Sequence, residues 1–154
     1  MNLDRFAFVA DPLLIQGLEK RAEQITCSEK RILFRQDDHP AGLYILKSGA
    51  VTLTMNSPLG RELFCIEAAP GSLLGLPGLV GGQPYSLTAI AHAGSHLSFL
   101  TRDSFTEFMR TEPQLSFLVL QVLAAEVRAA RSALREEVAS PVHRHRQLTP
   151  STRA

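Results

Sequence analysis

Gly71-Ser72-Leu73-Leu74-Gly75-Leu76-Pro77-Gly78-Leu79-Val80-Gly81-Gly82-Gln83-Pro84-Tyr85-Ser86-Leu87-Thr88 is an apolar, glycine-rich connection between two strand-like segments, with a cluster of hydroxyls at its exit. Such a run can fold backbone N–H groups around a small anionic ligand. It holds no Asp, Glu, Lys, Arg, His or Cys. Nothing in it could shuttle a proton near neutral pH, so its composition points to binding rather than acid–base catalysis.

Outward from this run the chain reads as short strands. Residues 21–26, 31–34, 42–47 and 50–55 are apolar or alternating, and Asp37-Asp38-His39-Pro40 and Ser48-Gly49 supply turn chemistry between them. Residues 62–68, 72–74, 86–92 and 95–101 continue the pattern. Eight short strands with glycine-bearing turns predict a mainly β sandwich or jelly roll, not a parallel βαβ sheet.

Helices flank the strands. Asp11 caps and Pro12 opens a short amphipathic helix carrying Leu13, Leu14, Ile15 and Leu18, which Gly17 weakens. Thr101 or Asp103 caps a second helix through Met109, and Pro113 opens a long one to about Val138. On the long helix Leu115, Leu118, Val119, Val122 and Ala125 form an apolar stripe, with Glu126, Arg128, Arg131, Arg135, Glu136 and Glu137 as the polar remainder. That stripe can cover its own domain or pair with its twin in a second copy. The length of the helix and its many alanines favour a parallel homodimer, with Leu115, Leu118, Val122, Ala125 and Ala129 as the seam.

Gly42-Leu43-Tyr44-Ile45-Leu46-Lys47-Ser48-Gly49-Ala50-Val51 resembles the Gly-x-Tyr-x-Ile/Leu-x-x-Gly-x-Val hairpin of the cyclic nucleotide-binding domain in catabolite-activator and FNR-type regulators. Gly71 and Gly75 stand where that family keeps the glycines of its phosphate-binding cassette. The similarity covers residues 11–137 and implies a jelly roll of about eight strands between a short N-terminal helix and a long dimerisation helix. It also implies a ligand site at Gly75, Leu76, Pro77 and Gly78, with Tyr85, Ser86 and Thr88 at the exit of the cassette.

Family members that bind cyclic nucleotides follow the cassette glycine with a Glu for the ribose 2′-hydroxyl, and place an Arg before a Ser or Thr for the cyclic phosphate. This chain has Leu76-Pro77 and Tyr85-Ser86 there. The phosphate loses a charge-assisted partner and the hydroxyl an acceptor, each worth roughly 1.5–3 kcal/mol. Binding of cAMP or cGMP is therefore expected to be weaker than about 100 µM. Backbone N–H groups of residues 76–79 other than Pro77, the three hydroxyls and the Gln83 amide could still hold a weakly bound anion or a small neutral molecule. Counted from Pro113, the helix positions that close over the base in the family are Ala130 and Arg131. Arg131 either supplies a charge to the cassette or is an ordinary solvated side chain. Tyr85 either stacks on a ligand or fills the cavity itself.

Composition bounds the rest. The chain has 154 residues, is 45% hydrophobic and carries a net charge of +1, so one domain with a sizeable core is expected and no global field draws it to nucleic acid or membranes. Cys27 and Cys65 stand alone, and His92 and His96 flank a turn, so no disulfide, metal or cofactor is expected. The N-terminus lacks a secretory leader and no run is long enough to span a bilayer, an expectation of a cytoplasmic protein.

Residues 11–138 are expected to form the domain and residues 139–154 a flexible basic tail with no helix-turn-helix, hence no specific DNA binding by that route. These features lead to a non-enzymatic ligand-sensing regulatory domain with an unusual ligand or a degenerate pocket. The alternative is a protein-interaction module with a vestigial cassette. An open polar cavity near Gly75, Ser86 and Thr88 would favour the first, and a cavity filled by Tyr85 and Leu76 the second.

Overall fold

Alternation at β3 (Gly42–Ser48) organises the molecule, because this strand is buried on both faces. Tyr44 and Leu46 point into one core with Phe34, Leu53 and Leu97. Leu43 and Ile45 point into the other, with Leu14, Leu18, Phe108 and Val119. The first core fills the space between two sheets; the second lies between one sheet and the helices. Side chains two apart share a strand face, so a single apolar run can serve both.

The computed structural model describes residues 1–139. Residues 140–154 of the expected basic tail lie outside them. Around β3 the chain runs α1 (Pro12–Glu19), β1 (Glu23–Thr26), β2 (Arg31–Phe34), then after β3 β4 (Val51–Asn56), β5 (Glu62–Ala68), β6 (Leu73–Leu74) and α2 (Leu76–Gly81). It continues through β7 (Thr88–Ala91), β8 (His96–Thr101), α3 (Arg102–Thr111) and α4 (Pro113–Ala139). The strands form two four-stranded sheets, ordered β1-β8-β3-β6 and β2-β7-β4-β5, and every pairing is antiparallel. This is the mainly β roll with flanking helices that the strand pattern predicts.

The caps follow from local chemistry. Leu13 N–H donates to Asp11 Oδ1 at 2.8 Å, and Pro12 opens α1. Of the two candidates for α3, Thr101 is the cap, accepting from Ser104 N–H at 3.1 Å, while Asp103 sits in the first turn, where its charge suits the helix dipole. Gly17 costs α1 some propensity for a packing reason: a Cβ there would lie 2.5 Å from Leu115 Cδ1 and 3.1 Å from Phe108 Cε1. Its absence lets α1 pass close to α3 and α4.

The long helix corrects one expectation. Leu115, Leu118 and Val122 pack into the helix-side core, and Ala129 packs against the cluster that contains Ala7 and Phe8. Ala125 is half-buried beside the N-terminal segment. The five residues expected as a dimer seam therefore face their own domain, because α1, α3 and residues 1–10 cover that side of the helix. Met1 extends this cover, its ammonium group lying 3.4 Å from Glu137. A second stripe points outward: Phe117, Leu120, Val127, Leu134 and Val138 are 48% to 62% exposed, with exposed Ala124 and Arg131 between them.

Candidate functional site

The cassette is a tight loop around a six-residue helix. Gly71 and Gly75 enter it with φ of +91° and +95°, a region costly for any residue with a Cβ. Gly75 caps α2 without a side-chain hydrogen bond, and Gly82 closes it with its N–H on the Gly78 carbonyl. Tyr85 then turns inward. Its backbone is held by Asp38 O at 2.9 Å and Asp37 N at 2.8 Å, so the loop is tied to the turn after β2.

The Tyr85 side chain occupies the space between the cassette and the sheets. It is 3% exposed, and its ring stacks on Phe34 with centroids 3.9 Å apart and planes 19° from parallel. Its hydroxyl donates to Gly42 O at 2.7 Å and accepts from the N–H groups of Ala41 and Gly42 at 3.2 Å. Desolvation raises the phenol pKa, opposed by those backbone hydrogen bonds. Gly75 is required here twice over, since a Cβ on it would come within 2.7 Å of Tyr85 Cε1. Beside this ring the cavity has a volume of only ≈ 10 Å³, room for about one water.

Five of the expected ligand residues come together: Gly75, Pro77, Gly78, Tyr85 and Ser86 line this cavity. The other three do not. Leu76 is fully buried in the helix-side core, because the first turn of α2 points it away from the cavity. Thr88 Oγ1 accepts from Gln36 N–H at 2.9 Å and joins β7 to the end of β2. Arg131 is exposed on the outward stripe, near Arg128 and Arg135. It brings no charge to the cassette, since its helix position faces away from the roll.

The residue that α4 does place over the cassette is Glu126. By residue type alone it belongs to the polar remainder of the helix. Val119, Val122, Glu126, Ala129 and Ala133 are nonetheless spaced at helical intervals along the inward face. A carboxyl in an otherwise apolar stripe was the available signal. Burial pushes this carboxyl up to about 8, and its Oε2 has no hydrogen-bond partner. Phe8, Phe34, Leu74 and Leu87 complete the walls.

Elsewhere, His92 Nε2 lies 2.7 Å from Thr52 Oγ1 and His96 Nδ1 lies 3.2 Å from Thr26 Oγ1. Among the described residues no three His, Cys, Asp or Glu side chains gather as metal ligands, and no helix is long and apolar enough to cross a membrane.

Comparison with known proteins matches this architecture. The chain is 23% identical over 132 residues to the CRP-like cAMP-activated global transcriptional regulator of Mycobacterium tuberculosis, a match that covers 86% of this chain and 59% of that protein. The chain thus spans under two thirds of the length of that relative. The catabolite activator protein of Thermus thermophilus superposes with a TM-score of 0.70 at 23% identity, over 86% of this chain and 62% of that one. The N-terminal domain of a Streptomyces coelicolor transcriptional regulator superposes with a TM-score of 0.59 at 25% identity, over 84% and 90%. A family model described as the cyclic nucleotide-binding domain matches residues 24–112, from the first strand to the end of the helix that follows the roll, and the chain belongs to that family.

Proposed function

We propose that this chain is a non-enzymatic regulatory domain whose cassette is closed by its own Tyr85, so that cyclic nucleotides do not bind. The observation that carries this reading is the position of that ring, stacked on Phe34 and triply hydrogen-bonded at the hydroxyl beside a cavity of ≈ 10 Å³. A purine nucleotide needs several hundred cubic ångströms. Where cyclic-nucleotide binders in the family offer a guanidinium, this pocket offers a buried carboxyl, which supplies no positive charge to a phosphate.

The output surface in this reading is the outward face of α4. Phe117, Leu120, Ala124, Val127, Arg131, Leu134 and Val138 recur at alternating three- and four-residue steps, the spacing of a heptad seam. Exposed apolar residues in such a row mark an interface more often than a free surface. Two copies pairing there would form a parallel homodimer while each keeps its inward face closed. Relatives of this chain are named as transcriptional regulators, and this reading places the domain in the same process.

Calorimetry with cAMP and cGMP tests the closed cassette. No heat of binding is expected with ligand up to about 100 µM, and a micromolar dissociation constant for either nucleotide would overturn the reading. A second reading, response to a different small ligand, is favoured by one observation, the unpartnered oxygen of Glu126.

A further inference from the structure

Among the described residues, Glu126 Oε2 is the one buried side-chain oxygen or nitrogen without a hydrogen-bond partner. It looks from α4 onto a pocket walled by Phe8, Phe34, Leu74, Tyr85 and Leu87. Among the described residues no Lys, Arg or His lines that pocket. One turn away along α4 lie only Val122, Leu123, Ala129 and Ala130. The other titratable group at the pocket is Tyr85, whose hydroxyl is committed to Ala41 and Gly42. A buried polar atom left without a partner is rare in a folded domain and marks a place where one is missing.

The pocket chemistry is that of a cation receptor. A carboxylate gives a charge-assisted acceptor for N–H, and aromatic rings attract positive charge at their faces. The residual cavity of ≈ 10 Å³ admits one water-sized group and no more. An ammonium head has that size. Pro77 and Ser86 on the rim are exposed, so a short substituent on the nitrogen has a way out to solvent.

We propose that the cassette of this chain binds a small primary amine as its ammonium ion, with an N–H donating to Glu126 Oε2 among the rings of Phe8, Phe34 and Tyr85. This rests on the reading that no cyclic nucleotide occupies the cassette, and adds the chemical class of ligand. The contact is made by α4, the helix whose other face carries the proposed seam, so occupancy would bear directly on the position of that helix. Burial keeps the empty carboxyl protonated near neutral pH. The arriving cation displaces that proton to solvent, and amine affinity therefore rises as pH approaches about 8.

The test is thermal unfolding of the full chain in methylammonium chloride, with sodium chloride and tetramethylammonium chloride as controls at equal ionic strength. A rise of about 3 °C over sodium chloride is expected with methylammonium near 10 mM. It should be larger at about pH 8 than at about pH 6, absent with tetramethylammonium, which has no N–H, and absent in Glu126→Gln. No excess over sodium chloride, or an excess that persists in Glu126→Gln, overturns the proposal and leaves the cavity to a water. A parallel arm with cAMP separates the two readings: stabilisation by cAMP defeats the closed cassette, whereas silence of both amine and nucleotide defeats only the amine site.

Discussion

The two faces of α4 have nearly the same composition and opposite fates. Inward, Leu115, Val119, Val122, Glu126, Ala129 and Ala133 meet α1, α3, the N-terminal segment and the cassette. Outward, Phe117, Leu120, Ala124, Val127, Arg131, Leu134 and Val138 meet solvent. Each stripe is apolar with one charged residue set into it. Inside, desolvation pushes the Glu126 carboxyl up to about 8; outside, the Arg131 guanidinium stays hydrated. The contrast teaches that helical periodicity makes stripes, whereas the surrounding elements decide which of them becomes core.

Paired aspartate substitutions break the comparison most sharply. Val122→Asp puts an unpaired charge in a fully enclosed site and should cost about 3–5 kcal/mol, enough to abolish the cooperative melt followed by circular dichroism. Leu120→Asp, two residues away on the other face, should leave that melt in place and convert a sedimenting dimer to monomer. Sedimentation of the unmodified chain as a monomer at about 100 µM would break the outward half of the comparison.

Next in size is the pH response of the inward charge. The folded-state pKa of Glu126, about 8, lies above its ordinary 4.5, so the folded chain holds this proton more tightly than the unfolded chain. Its contribution is fully present below the ordinary value and is lost as pH rises through the folded value, with a slope of at most about 1.4 kcal/mol per pH unit. Denaturant melts from about pH 5 to about pH 8 should show stability falling with pH, and Glu126→Gln should flatten that difference.

Tyr85→Phe probes the proposed closure of the cassette, which the inward face covers. It leaves Gly42 O and the N–H groups of Ala41 and Gly42 without their partner, and a loss of about 1–3 kcal/mol is expected in chemical denaturation. An unchanged midpoint would mean that water replaces the hydroxyl. The smallest effect is Arg131→Leu, which removes the one charge from the outward seam. The proposed dimer should tighten about tenfold, read from the concentration dependence of sedimentation, at some loss of register specificity.

Much of the fold is legible where the chemistry is local. Asp11 and Thr101 cap because a short side-chain oxygen reaches an N–H two or three residues on, and Pro12 and Pro113 open helices because their missing N–H is not needed there. Strand 7 comes out shorter than expected, starting at Thr88 rather than at residue 86, because Tyr85 is drawn into the cassette by contacts with Asp38, Ala41 and Gly42, more than forty residues earlier. No local rule reads such a contact. The glycines of the loop, and Leu76 and Tyr85 within it, are legible as residue types, but the different directions of those two side chains are not.

By itself, then, the sequence determined the order of elements, the Asp11 cap, one apolar stripe on the last helix and the residue types of the glycine-rich loop, because each depends on neighbours within a few residues. Only the tertiary structure decided which stripe is inside, that Glu126 and not Arg131 stands over the cassette, and that Tyr85 fills it. The rotation of a helix about its axis, and the desolvation of a carboxyl, are set by segments that meet from distant parts of the chain.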